Sequence, residues 1–229
     1  MYGGYRWGVS ITRLGEPLLL TDQVFSAIHE AIMSGDIPAG ARQRIRDLAA
    51  QLGTSPMPVR EAIGRLEQAG LAQRVPHKGA VVIDLSPAEL VHVYDTRLLL
   101  EMEASRLGAA VITQSDCERM REEYDLMMAA VGQKRASEAL DHDETLLTIL
   151  YSAADNSVLL ELIRVLWQRC RAYKIVGVRR ALETSDLSIW SFQARLIDAA
   201  LDHDAEAAVN ITEESLRQAT ARIEAMLPG

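Results

Sequence analysis

Two short amphipathic segments separated by a tight break constrain the fold of this chain more than any other feature. Apolar residues recur with helical spacing before Gly53 and again after it, so each segment has one apolar face. Ser55 lies where the second helix needs an N-cap, with a hydroxyl that could accept from a backbone N–H, and Gly70 follows as a C′ residue. The pattern predicts two helices packed on one small core. Their apolar faces are Ile45, Leu48, Ala49 and Leu52, then Val59, Ala62, Ile63 and Leu66.

The opposite face of the second helix and the segment after it indicate contact with DNA. That face carries Met57 and Arg60, with Ser55 at its N-terminal end. Arginine in a major groove can donate two hydrogen bonds to a guanine edge, and a helix N-terminus favours phosphate. Two predicted strands follow, at 71–75 and 80–83, with a basic turn between them. This arrangement is typical of a wing that contacts the minor groove or the DNA backbone.

These segments resemble the winged helix-turn-helix of the GntR family of bacterial transcription regulators. The matching residues are Leu48-Ala49, Leu52-Gly53, Ser55, Pro58-Val59-Arg60-Glu61-Ala62, Leu66, Gly70-Leu71 and Gly79, preceded by Gly35-Asp36-Ile37-Pro38-Ala39-Gly40. The alternative is a purely structural helical hairpin. The family usually has an arginine directly after the cap serine, and Pro56 replaces it here, so one contact is missing. By position, the resemblance implies DNA contacts at Arg46, Ser55, Met57, Arg60, His77, Lys78 and Gly79.

Charge is distributed unevenly along the chain, whose formal net charge is −8. Residues 41–79 contain seven basic and three acidic residues, whereas residues 85–229 contain 15 basic and 24 acidic residues. A basic segment joined to an acidic body is attracted to phosphates by one end only. We therefore expect affinity for DNA to fall steeply with salt.

The remaining composition predicts a folded cytoplasmic protein with no cofactor. Cys117 and Cys170 are too few and too far apart to indicate a disulfide framework. The N-terminus lacks the pattern of a signal peptide, and no apolar run reaches membrane-spanning length. We expect an N-terminal arm at 1–16, a winged helix-turn-helix domain at 17–84 and a helical effector-binding and dimerisation domain at 85–229.

The expected fold class is mostly α, with the N-terminal winged helix-turn-helix followed by an all-α antiparallel helical bundle. A helix capped by Thr21 and ending near Gly35 completes the smaller domain. Ser86 and Glu89 form a capping-box pattern with Pro87 at the first helical position, so a long helix begins directly after the wing. The helices of the larger domain are predicted at about 87–111, 114–132, 136–155, 157–182, 186–202 and 204–227.

The larger domain resembles the FCD effector-binding domain of the FadR-like branch of the same family. The resemblance is carried by Tyr94, Arg97, Leu100, Glu101, Asp143, Asn156 and residues 204–208. Many members of this branch bind a divalent metal through an aspartate and three histidines. The corresponding positions are Asp143, Leu147, Gln193 and Ser215, which lack every histidine. Because zinc prefers imidazole or thiolate ligands, we expect no metal site. His142 is turned about 100° from Asp143 and is expected to face solvent.

The same positions predict a pocket for a small acidic metabolite. Arg97 could form a fork with a ligand carboxylate while neighbouring polar groups contact the rest of the ligand. Alternatively, Arg97 and Glu101 could pair with each other as a structural bridge. Arg164, Arg171 and Lys174 could reach the pocket mouth or lie on a solvated helix face. The predicted effector contacts are Tyr94, Arg97, Asp143, Gln193 and Ser215.

Taken with the resemblance, these features imply a ligand-responsive transcription regulator. A repressor that binds a palindromic operator as a homodimer, each half-site contacted by one recognition helix, is the expected form. One alternative is a DNA-binding dimer without an effector. Another is a helical-bundle enzyme, but the sequence contains no nucleophile with a base at meaningful spacing, no phosphate-binding glycine loop and no distinct acid pair.

Overall fold

A computed structural model of the chain describes residues 20–75, 79–184 and 188–225. Its N-terminal part contains α1 (Leu20–Met33), β1 (Arg42–Gln43), α2 (Ile45–Gln51), α3 (Pro56–Gln68), β2 (Ala72–Val75) and β3 (Gly79–Val82). Its C-terminal part contains α4 (Pro87–Ala109), α5 (Gln114–Gly132), α6 (Ala136–Ser152), α7 (Ser157–Thr184), a 3₁₀ turn (Ser188–Trp190), α8 (Ser191–Leu201) and α9 (Ala205–Glu224). The predicted fold class is confirmed. The predicted arm at 1–16 lies outside the described residues.

Helices α1, α2 and α3 share one core that the wing covers. The apolar residues predicted for α3 are all buried, and those of α2 are buried or partly buried except Leu52, which is exposed at the turn. The strands form an antiparallel sheet in the order β1-β3-β2. Strand β1 was not predicted because two residues are too short to show an alternating pattern.

The start of α1 differs from the prediction. Thr21 is not an N-cap, because the helix already includes Leu20. Instead, the Thr21 hydroxyl donates a hydrogen bond of 2.8 Å to Glu61 on α3. Thr21 therefore joins two helices of the small domain.

The C-terminal part is a helical bundle in which α4 lies against α6, α7, α8 and α9. The capping box at its start is formed, with Ser86 N donating to Glu89 Oε2 at 2.9 Å and Glu89 N donating to Ser86 Oγ at 3.3 Å. Gly108 permits a close helix crossing, because an added β-carbon would collide with the carbonyl of Leu150 on α6. The predicted helix at 186–202 is instead a 3₁₀ turn followed by α8, and α6 and α9 end earlier than predicted.

The end of α1 rests on α7, and this contact joins the two parts of the molecule. Arg171 Nε donates to the carbonyl of Met33 at 2.9 Å, and Arg179 Nη2 donates to that of Ser34 at 3.2 Å. Gly35 has a φ of 78°, and an added β-carbon would lie 3.1 Å from Cγ2 of Ile175. We call these interactions the α1–α7 contact.

Arg171 is buried, so the solvated face considered for it from the sequence is wrong. Besides Met33, it pairs with Glu144 at 2.9 Å and with Asp141, both on α6. Arg164 is exposed on α7. Cys117 and Cys170 are buried and unbridged. No helix within the described ranges is long and apolar enough to cross a membrane.

Candidate DNA-binding surface and effector cavity

Helix α3 presents the predicted DNA-contacting residues to solvent. Met57 is 62% exposed, and Arg60 is also exposed on the face opposite the core. Ser55 is the N-cap residue, as predicted, but its hydroxyl makes no capping hydrogen bond. Because Pro56 and Pro58 have no backbone N–H, Met57 is the only one of the first three residues of α3 whose N–H could face a phosphate, beside the Ser55 hydroxyl.

The other predicted contacts lie on α2 and the wing. Arg46 is exposed on the first turn of α2. His77 and Lys78 lie outside the described residues. Gly79 begins β3 with a φ of 95°, and an added β-carbon would collide with the carbonyl of Gln43 on β1. The sheet therefore requires glycine at this position whether or not the residue contacts DNA.

Arg74 on β2 connects the wing to α3, a role that the sequence did not reveal. Its Nη2 donates to the carbonyl of Arg60 at 2.9 Å, and its Nε lies 3.4 Å from Oε2 of Glu67. The guanidinium passes over Gly64, where an added β-carbon would overlap it. Glycine in the middle of α3 therefore leaves room for a side chain that holds the wing beside the recognition helix.

A cavity of about 590 Å³ lies among α4, α6, α7, α8 and α9, within the size range of small-molecule sites. Its wall includes buried polar residues from four helices, α4, α6, α8 and α9, which are Arg97, Asp143, Gln193 and Thr212. The cavity therefore exists only when the bundle is assembled. All five predicted effector contacts line it: Tyr94, Arg97, Asp143, Gln193 and Ser215.

Arg97 forms the structural bridge that the sequence left open. Its Nε donates to Glu101 Oε1 at 2.7 Å, and the two residues are only 4% and 2% exposed. Glu101 also accepts hydrogen bonds from Trp167 Nε1 at 2.9 Å and from the Tyr151 hydroxyl at 3.3 Å. The Arg97 guanidinium stacks over the Tyr94 ring, with 4.6 Å between its carbon and the ring centroid. Arg97 is therefore both a packed ion-pair member and part of the cavity wall.

Asp143 is held from two sides. Gln193 Nε2 donates to its Oδ1 at 2.6 Å, and Lys174 Nζ lies 3.6 Å from its Oδ2. Burial raises the pKa of Asp143, while Lys174 and Gln193 oppose that shift. One oxygen of this carboxylate is therefore hydrogen-bonded and the other faces the Lys174 ammonium.

Lys174 lines the cavity, which is one of the two places that the sequence left open for it. Its side chain is 11% exposed, and its Nζ donates to Glu144 Oε1 at 3.1 Å. Burial lowers the pKa of Lys174, but Glu144 and Asp143 raise it by more, so the pKa lies above its ordinary value and the ammonium is charged. Its place on the same helical stripe as Trp167 was visible in the sequence, but the acidic partners on α6 were not.

The cavity wall carries an excess of positive charge. Among the described residues that line it, four side chains are cationic and two are carboxylates. Arg97 and Lys174 are the buried cations, whereas Arg180 and Arg222 are exposed. This balance is opposite to that of the whole chain, whose formal charge is −8.

Two buried polar atoms of the cavity wall lack a hydrogen-bond partner in the part of the chain that the structure describes. They are Oε1 of Gln193, an acceptor, and Nε1 of Trp190, a donor. An unpaired buried polar group costs free energy of about 1–3 kcal/mol. Both atoms would be stabilised by a bound molecule or water.

His142 does not face solvent freely, which corrects the prediction made for it. Its side chain is 22% exposed, and its Nδ1 lies 2.7 Å from Oε2 of Glu123 on α5. The imidazole therefore joins α5 to α6, on a different side of α6 from Asp143.

Comparisons with known proteins agree with this architecture. The sequence model described as "Bacterial regulatory proteins, gntR family" matches residues 20–82, and that of the FCD domain matches residues 92–218. The chain is 33% identical over 186 residues to a probable D-xylose utilization operon transcriptional repressor of Paenarthrobacter nicotinovorans, covering 80% of this chain and 75% of that protein. It is 34% identical over 110 residues to an uncharacterized HTH-type transcriptional regulator of Agrobacterium vitis, covering 47% of this chain and 64% of that protein.

A solved structure shows the same fold. E. coli McbR/YncC superposes with a TM-score of 0.78 at 23% identity, covering 91% of this chain and 99% of that one. The two domains, in this order, define the class: the chain belongs to the GntR family of bacterial regulatory proteins. Within that family it carries an FCD domain, and it is a DNA-binding regulator rather than an enzyme.

The four positions at which many FCD domains bind a metal converge on the cavity, but the side chains present do not fit a metal. Asp143, Leu147, Gln193 and Ser215 all line it. They supply one carboxylate, already engaged by Lys174 and Gln193, with an alkyl group, an amide and a hydroxyl. A divalent cation about 4 Å from an ammonium is repelled by about 8 kcal/mol at an effective dielectric constant of about 20. No group of three or more potential metal ligands occurs among the described residues.

Proposed function

We propose that this protein is a repressor whose helical domain binds a small acidic metabolite directly and thereby alters its affinity for an operator. The observation that carries the proposal is the charge of the cavity, where four cations face two carboxylates inside an acidic chain. The buried cations Arg97 and Lys174 are paired with carboxylates. The excess positive charge therefore comes from Arg180 and Arg222, which are exposed on the cavity wall and attract an anion to it. The proposed contacts are Tyr94, Arg97, Asp143, Gln193 and Ser215.

The proposed DNA contacts are Arg46, Ser55, Met57, Arg60, His77, Lys78 and Gly79, used by a homodimer on a palindromic operator. A two-fold dimer presents one recognition helix to each half-site. Leu99 on α4 and Leu162 and Val165 on α7 are large, exposed apolar residues, which supports an interface that covers part of the surface of these helices. We retain the proposed domain limits at 17–84 and 85–229 and a cytoplasmic location.

A screen of small acids tests the effector class. Acetate, lactate, succinate and citrate should be compared with the neutral analogues acetamide, lactamide and succinamide by thermal shift. At about 100 times its Kd, a ligand that binds only the folded protein stabilises it by about 2.7 kcal/mol, or about 5–10 °C in Tm for a chain of this size. An acid with this effect should also release the protein from operator DNA. Equal shifts from neutral analogues, or none from any acid, would favour a regulator without an acidic effector.

Arg60→Ala tests the recognition helix. Loss of a groove-facing arginine should weaken binding to the cognate operator by about 1–3 kcal/mol and relax the preference at one base position. Binding to cognate and scrambled duplexes should be measured at two salt concentrations. Arg119→Ala is the matched control, because Arg119 is an exposed arginine of α5 that pairs with Asp116. Arg60 would be removed from the proposed contacts if its variant kept the full preference of the parent protein.

A further inference from the structure

We propose that the Lys174 ammonium is a built-in cation that stands where other FCD domains bind a metal, and that it receives the carboxylate of the ligand. That the ligand is an acid rests on the proposed function, whereas the role of Lys174 as the cation does not. Lys174 lies on α7 and is not one of the four positions that correspond to metal ligands. Those positions are Asp143, Leu147, Gln193 and Ser215.

Lys174 lines the same cavity as Asp143, Gln193 and Ser215, which come from α6, α8 and α9. Its Nζ lies 3.6 Å from Asp143 Oδ2 and 3.1 Å from Glu144 Oε1. A positive charge is thus fixed beside the aspartate that would have been a metal ligand.

The charge of the Lys174 ammonium is balanced by acidic groups. A buried ammonium is tolerated only when carboxylates surround it. Lys174 has two such partners on α6, Asp143 and Glu144. The centroid of the Trp167 ring lies 5.9 Å from Lys174 Nζ. The cation is therefore held by the fold, as a metal would be held by its ligands.

The Lys174 ammonium has unused hydrogen-bonding capacity. An ammonium has three N–H donors, and Lys174 makes one hydrogen bond, to Glu144, among the described residues. A second donor faces Asp143 Oδ2 at 3.6 Å, so one remains for a ligand. A carboxylate placed against it would have a charge-assisted contact without any metal.

Cobalt binding tests the cation without any effector or DNA. A triple variant, Leu147→His with Gln193→His and Ser215→His, places a histidine at each position where many FCD domains have one. A quadruple variant adds Lys174→Met. The quadruple variant should bind Co²⁺, with the visible bands of a four-coordinate site. The triple variant should bind it at least about 100-fold more weakly, because the ammonium repels the metal. The unaltered protein is the blank.

Two results would overturn the inference: equal cobalt affinity with and without Lys174, or no cobalt binding by a folded quadruple variant. Circular dichroism and thermal unfolding establish folding. If the quadruple variant does not fold, Gln193→His with Ser215→His, compared with and without Lys174→Met, makes the same test.

The ligand arm uses the acid panel described above. Lys174→Met should abolish the thermal shift given by acids, whereas Arg169→Met, on the exposed side of α7, should leave it unchanged. A retained shift in Lys174→Met would show that the carboxylate binds elsewhere. If the unaltered protein itself shows no shift, the proposed acidic effector fails while the cobalt result still decides the role of the cation.

Discussion

Arg97→Met is expected to lower the free energy of unfolding by about 3–5 kcal/mol and Tm by about 10 °C. Methionine retains apolar bulk but leaves the Glu101 carboxylate buried without its cation. Trp167 and Tyr151 would still donate to Glu101, but neutral donors do not replace a charge. Chemical denaturation followed by circular dichroism measures the change.

Two further variants show whether the loss comes from the unpaired carboxylate. Adding Glu101→Gln to Arg97→Met should restore at least about half of the lost stability, since an amide is cheaper to bury than a carboxylate. Arg106→Met removes an exposed partner of Glu103 on the same helix and should cost at most about 1 kcal/mol. If Arg97→Met were as stable as Arg106→Met, the bridge would not support the fold.

Arg171→Met is expected to lower the free energy of unfolding by about 2–4 kcal/mol and to weaken the effect of any ligand on operator binding. The substitution leaves the carbonyl of Met33 without its donor and removes one of two cations from Glu144. Glu144 pairs both with Lys174 on the cavity wall and with Arg171 in the α1–α7 contact. These two ion pairs therefore connect the cavity to that contact.

The experiment combines chemical denaturation with operator binding in the presence and absence of an acid that passes the thermal-shift screen. Arg164→Met is the control, because Arg164 is an exposed arginine of α7 that lies outside the α1–α7 contact. It should change stability by less than about 1 kcal/mol. An Arg171→Met protein with unchanged stability and full ligand response would separate the α1–α7 contact from regulation.

The parts of the fold that follow local rules were predictable from sequence. The apolar faces of α2 and α3 and the capping box at Ser86 depend on residues within one or two turns of each other. The effector cavity was also anticipated, since positions counted from the resemblance converge on it. Local spacing could not decide the state of Arg97, because a helical pair with Glu101 and a free side chain have the same pattern.

The buried charges of α7 were not predictable. Lys174 and Arg171 are buried because Asp141, Asp143 and Glu144 on α6 face them across the bundle. The pairing depends on how two helices pack, which periodicity within one helix does not specify. For the same reason, the Ser55 hydroxyl could be assigned to its cap position but not to a capping bond, which the structure lacks.

The α1–α7 contact bears on the spacing of the operator. The winged helix-turn-helix domain is attached to the bundle at two points. One is the short connection between Val82 and Pro87, and the other is the packing of Gly35 against Ile175. A domain held at two points has a fixed orientation, whereas one held at a single point would swing. In the proposed homodimer, the separation of the two recognition helices is therefore set by the position of α7, and half-sites one helical turn apart, about 34–36 Å, require one such position. Binding to operators with a base pair inserted or deleted between the half-sites therefore reports on the placement of α7.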